Sequence, residues 1–106
     1  MFSIHSMPLI SNFSIGFENG YSVDCAIGSA PYCNNHLDNR DSTPILGRDE
    51  KCEDCEIAVI KNGEFANMDK LNILPEDVRS DGGEVAGWVT PEQFLQVLNA
   101  VSKLPK

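Results

Sequence analysis

Residues 13–27, FSIGFENGYSVDCAI, decide the fold. Phe13, Ile15 and Phe17 alternate with small or polar residues, and Tyr21, Val23, Cys25 and Ile27 do the same beyond Asn19-Gly20. That is the period of two strands joined by a turn. Register sets the turn length. A two-residue Asn-Gly loop would pair Glu18 with Tyr21 and put Phe17 and Ile15 on the face of Ser22 and Asp24. A three-residue loop, Glu18-Asn19-Gly20, pairs Phe17 with Tyr21, Ile15 with Val23 and Phe13 with Cys25. Only the second gathers the apolar residues on one face. Gly20 then takes the left-handed position of a bulged hairpin.

Working outward, EIAVIKNGEFANM (56–68) reads as a second hairpin around Asn62-Gly63. The same argument expects a three-residue loop, with Val59 opposite Phe65. In VAGWVTPEQFLQVLNAVSKLPK (85–106), Val85 to Val89 reads as a short strand carrying Trp88, which is expected in the core. Thr90 opens a helix with Pro91 at its first position and Gln93 completing a capping box. Phe94, Leu98 and Val101 form the apolar stripe, widened by Leu95 and Val97. Leu71, Ile73 and Leu74 read as a short strand or packed extended piece, and Ser80 to Gly83 as a flexible turn. The expected fold is α+β over one domain, residues 1–106. It is an antiparallel sheet of two Asn-Gly hairpins plus the Trp-bearing strand, with one C-terminal helix packed on it.

Composition narrows the function. The chain carries 16 Asp and Glu against 8 Lys and Arg, a net charge of -8. Gripping phosphates needs Lys and Arg, so direct nucleic-acid binding is not expected. The same charge opposes anionic lipid surfaces, and no apolar run is long enough to span a membrane. The opening MFSIHSMPLISNF lacks the basic region of an export signal, which points to the cytoplasm, where the four cysteines would stay reduced.

Two constellations could carry chemistry. Cys33-x2-His36, then fifteen residues, then Cys52-x2-Cys55 has the spacing of two ligand pairs closing a structural zinc loop. The opposing reading is ordinary reduced thiols, because Glu53, Asp54 and Glu56 crowd the second pair with carboxylates that raise thiol pKa values. Cys25 stands apart, facing the core from its strand. No nucleophile elbow, phosphate loop or dinucleotide fingerprint appears, and neither His5 nor His36 completes a catalytic set, so no enzyme activity is expected.

The second constellation is acidic. Seven acids and three bases lie between Asp38 and Glu56, and five acids with one Arg between Glu76 and Glu92. The plain reading is a solvated surface. The sharper one is a face made by Asp38, Asp41, Asp49, Glu50, Glu53 and Asp54 that meets a basic groove on another protein. Residues 28–55 read as a long surface connection, with Cys33 near the sheet edge. Loops of that length are uncommon in compact domains unless functional.

Taken together, FENGYSVDCAIG and YCNN, EIAVIKNGEF, and VAGWVTPEQFLQVLN resemble a group of small proteins encoded by tailed bacteriophages. The resemblance covers about half of the chain and reaches Tyr32, Cys33 and Asn34, but not the Cys52–Cys55 pair. It brings no activity with it. It implies a phage accessory protein in an infected bacterial cytoplasm. The expected function is a non-catalytic binder that modulates or inhibits a host protein. The alternatives are a structural zinc module on Cys33, His36, Cys52 and Cys55, or a protein that sequesters a nucleotide signal.

Overall fold

The computed structural model describes residues 1–7, 10–28 and 51–106. The expected loop over residues 28–55 lies almost wholly outside them, with Cys33, His36, Asp38, Asp41, Asp49 and Glu50.

The first hairpin forms in the register the alternation demands. β2 (Ile10–Gly16) and β3 (Tyr21–Gly28) pair Ile15 with Val23 and Phe13 with Cys25. The Phe17 N–H donates to the Tyr21 carbonyl at 2.8 Å, and Gly20 sits at φ +89°. Asn19 does more than turn the chain. Its Oδ1 accepts from the Tyr21 N–H at 3.0 Å, and its Nδ2 donates to the carbonyls of Val101 and Leu104, both at 2.8 Å. One turn side chain thus ties the first hairpin to the C-terminal end of the last helix, adding to the Leu104 N–H bond that the Val101 carbonyl already accepts.

The second hairpin departs from expectation. β4 (Cys55–Lys61) and β5 (Glu64–Phe65) pair Ile60 with Phe65 and Lys61 with Glu64, so the loop is Asn62-Gly63 alone. Both loop residues have positive φ, 55° and 77°, as the tight turn favoured by Asn-Gly requires. Phe65 is consequently 54% exposed, and Ala66 takes the place opposite Val59, its N–H donating to the Val59 carbonyl at 2.8 Å.

β1 (Phe2–Met7), unforeseen from the sequence, pairs with β2. After β5 comes a short helix, α1 (Met68–Leu71), which takes Leu71 of the expected extended piece, while Ile73 and Leu74 pack on the core outside any helix or strand. The Asn67 side chain caps its start, and Asn72, left-handed at φ 55°, ends it. Of the turn expected over Ser80 to Gly83, Gly82-Gly83 forms it, while Ser80 and Asp81 are a short strand, β6 (Ser80–Asp81), paired with β7 (Val85–Val89). The last helix, α2 (Pro91–Ser102), has the expected cap: Thr90 Oγ1 accepts from the Gln93 N–H, and Gln93 Oε1 accepts from the Thr90 N–H.

Seven antiparallel strands among the described residues make one sheet, in the order β1-β2-β3-β4-β7-β6, with β5 on β4. Helix α2 contacts β3. Val23, Ile57, Val59, Met68, Val89, Val97 and Val101 are fully buried in the core. Each such aliphatic side chain contributes about 1.5–3 kcal/mol of transfer free energy. The α+β fold is the one the sequence implies.

Candidate functional site

Trp88 is 55% exposed, not in the core. The cause is an extra residue in β7. Cys55 and Ile57 of β4, two apart, face Val89 and Ala86, three apart. Such a mismatch is a β-bulge. It lets Ala86 and Val89 both bury while Trp88, between them, swings out. Trp88 absorbs the irregularity at φ +53°. A bulky residue in the left-handed region is an outlier that costs of order 1–3 kcal/mol and persists only where its surroundings enforce it.

The indole borders a hollow of about 440 Å³ together with Asp77, Arg79, Ser80, Asp81 and Val85. Gln93 Nε2 donates to Asp77 Oδ2 at 2.9 Å, tying this rim to the first turn of α2. Arg79 Nη1 donates to the Glu76 carbonyl at 2.6 Å. Ser80 Oγ bonds both Asp69 carboxylate oxygens at 2.8 Å and also accepts from the Gly83 N–H. Asp77, on the rim, and Asp69, beside it, are therefore held by specific contacts.

On the other flank of the β7–α2 junction lies a groove of about 180 Å³, lined by Phe13, Cys52, Glu53, Asp54, Pro91 and Phe94, with Cys25 and Cys55 behind. Its walls are mostly apolar. Phe13 and Phe94 meet edge to face, ring centroids 6.0 Å apart. Of the six acids expected to make a binding face, Glu53 and Asp54 are described, and both line this groove.

Of the four expected zinc ligands, Cys52 and Cys55 are described. Cys55 is buried, and its thiol shares a hydrogen bond with Cys25 from the neighbouring strand. That bond, burial, and the charges of Asp54 and Glu56 push the Cys55 thiol far above its ordinary value. Thiolate, not thiol, is the nucleophile and metal ligand. Cys25, set apart by its strand position, is thus the partner of Cys55. Among the described residues, no three His, Cys, Asp or Glu side chains are arranged to hold a metal ion. No helix among them is long and apolar enough to cross a membrane.

Trp88 is the functional candidate that sequence reasoning placed wrongly. The signal was the Gly87-Trp88 pair, since a Gly inside a strand pattern often marks a bulge. Comparison of the chain with protein-family models, curated proteins and solved structures finds no match. The likeness to phage accessory proteins therefore rests on the quoted segments alone.

Proposed function

We propose that this chain is a non-catalytic protein-binding module whose contact surface is centred on Trp88. One observation carries the reading: an exposed indole is held in a strained left-handed conformation beside an acid-lined hollow. Strain retained at an exposed aromatic is a reason to look for function, and Trp is among the residues that dominate interface energetics. Asp77 and Asp81 line the hollow that Trp88 borders, with Arg79 as the one cation among its described lining residues, and Glu53 and Asp54 line the groove on the other flank of the β7–α2 junction. An aromatic face among carboxylates suits a Lys or Arg of a basic partner, through cation–π contact and charge complementarity. In the setting implied by the phage resemblance, the partner is a host protein in the bacterial cytoplasm, and binding modulates or inhibits it. The acidic surface expected from the sequence is thereby recentred on Trp88, keeping Glu53 and Asp54.

The test is affinity capture from bacterial lysate with tagged wild type and Trp88→Ala in parallel, at low and high salt. Wild type should retain a stoichiometric basic protein at low salt. Trp88→Ala should lose it, and high salt should release it. Identical retained proteins with both baits would reject the reading.

A further inference from the structure

The opposite end of the sheet poses a separate question. The Met1 amine donates to the Gly16 carbonyl at 2.8 Å, and the Gly16 N–H donates to the Met1 carbonyl at 2.7 Å. Met1 and Gly16 are therefore a doubly bonded pair. By antiparallel alternation, Ser3, His5 and Met7 then direct their backbone groups to β2. Phe2, Ile4 and Ser6 direct theirs outward, where β1 ends the strand order and no described strand pairs with it. Phe2 and Ile4 also bear the exposed side chains, 80% and 64% accessible. Opposite them on β2 are Ile15 and Phe13, so these apolar groups lie on the face that carries Phe94 of α2.

Edge strands ordinarily carry Lys, an inward charge, a Pro or a bulge that discourages pairing. The six residues of β1, FSIHSM, include no Pro and no Asp, Glu, Lys or Arg, and their ladder with β2 runs without a bulge. The open hydrogen-bonding edge calls for an extended strand as its occupant. Charge selects which one. Two copies of a chain with net charge -8 repel wherever their carboxylates meet. Residues 1–17 contain no Asp, Glu, Lys or Arg, so this end is where two copies can approach without that repulsion.

We infer that the outer edge of β1 is the docking strand for a second copy of this chain. The two β1 strands pair antiparallel about a two-fold axis at Ile4. In that register Ile4 faces Ile4 of the other copy, and Phe2 faces its Ser6. The outward groups of all three residues are satisfied in both copies. The axis stands perpendicular to the sheet, so both α2 helices lie on one side, and the paired Phe2, Ile4 and Phe13 side chains fill the space between them. The contact is isologous, as closed homodimers require.

Sedimentation of the full chain tests this, with far-UV circular dichroism as the check on folding. Wild type should sediment at twice 11.6 kDa at tens of micromolar. Ile4→Pro removes only an outward N–H and leaves the β1–β2 ladder intact. Ile4→Lys puts a charge at the two-fold. Each should raise the dissociation constant by about tenfold or more, with an unchanged far-UV spectrum. Trp88→Ala, distant from this edge, should leave the dimer intact, which separates this inference from the binding surface proposed above. A wild-type chain that stays at 11.6 kDa, or Ile4 variants that dimerise like wild type, would overturn it.

Discussion

At one end of the sheet, β1 and β2 pass through residues 1–17 without one Asp, Glu, Lys or Arg. At the other, β6, β7 and the start of α2 draw on residues 76–92, with five acids and one Arg. Both ends expose large apolar groups, Phe2 and Ile4 on one and Trp88 on the other. The surrounding charge gives these similar groups different consequences. An edge without carboxylates can meet its own copy, whereas an indole among carboxylates repels its own copy and attracts a basic surface. Salt should therefore separate the two contacts. Screening strengthens association between two acidic copies and weakens capture of a basic partner.

The largest effect is expected where the acidic end is held in shape. Gly83 lies at φ +82°, and a Cβ there would collide with the Asn67 carboxamide that caps α1. Gly83→Ala should cost about 2 kcal/mol or more in denaturant unfolding and diminish partner capture. Gly63→Ala, at φ +77° with open space around it, should cost only the backbone strain of about 1 kcal/mol. Equal losses at the two positions would show that the Asn67 contact contributes nothing.

Next in size is the strain at Trp88 itself. Trp88→Gly and Trp88→Ala both remove the indole, but only Gly accepts φ +53° at no steric cost. The Gly variant should be the more stable of the two by about 1 kcal/mol, and neither should capture the partner. An Ala variant as stable as the Gly variant would mean that the bulge relaxes and stores no strain.

The smallest effect lies between the two ends, on the sheet face opposite α2. Asp24 sits half-buried near Ala26, Ala58 and Phe65, and burial raises its pKa above the ordinary 3.8. A raised carboxyl favours folding most when protonated, and that contribution is lost as pH rises through its folded value. Asp24→Asn should thus be more stable than wild type at neutral pH, with the advantage shrinking as pH falls toward and below the ordinary carboxylate range. Thermal unfolding across pH reads this directly, and a gain independent of pH would reject the burial argument.

How much was legible follows from how many residues vote on each register. The β2–β3 hairpin was readable to the residue because Phe13, Ile15, Phe17, Tyr21, Val23 and Cys25 all agree on one three-residue turn. Helix α2 was readable because Thr90, Pro91 and Gln93 each supply a separate capping signal. The β4–β5 register was not, because Phe65 looked like the core residue. The turn chemistry of Asn62-Gly63 overrode it, and small Ala66 filled the inner place. Trp88 was misplaced for a related reason. One inserted residue reverses the phase of a strand, and nothing in VAGWV other than the glycine announces it. β1 escaped notice because its alternation is carried by only Phe2 and Ile4, among Ser and His. Of the candidate site, the acidic character was legible from composition, while the aromatic centre required the bulge.

Trp88 is the single tryptophan of the chain, so its fluorescence reports on the proposed contact surface alone. The most direct measurement is a titration of the wild-type chain with an arginine-rich peptide as a basic probe, followed by indole emission at low and high salt. The account predicts a saturable blue shift at low salt as the half-exposed indole is covered. High salt should diminish the shift, as should reversal of Asp81 to Lys. An emission spectrum unmoved by the peptide at low salt, or a shift indifferent to both salt and Asp81→Lys, would contradict it.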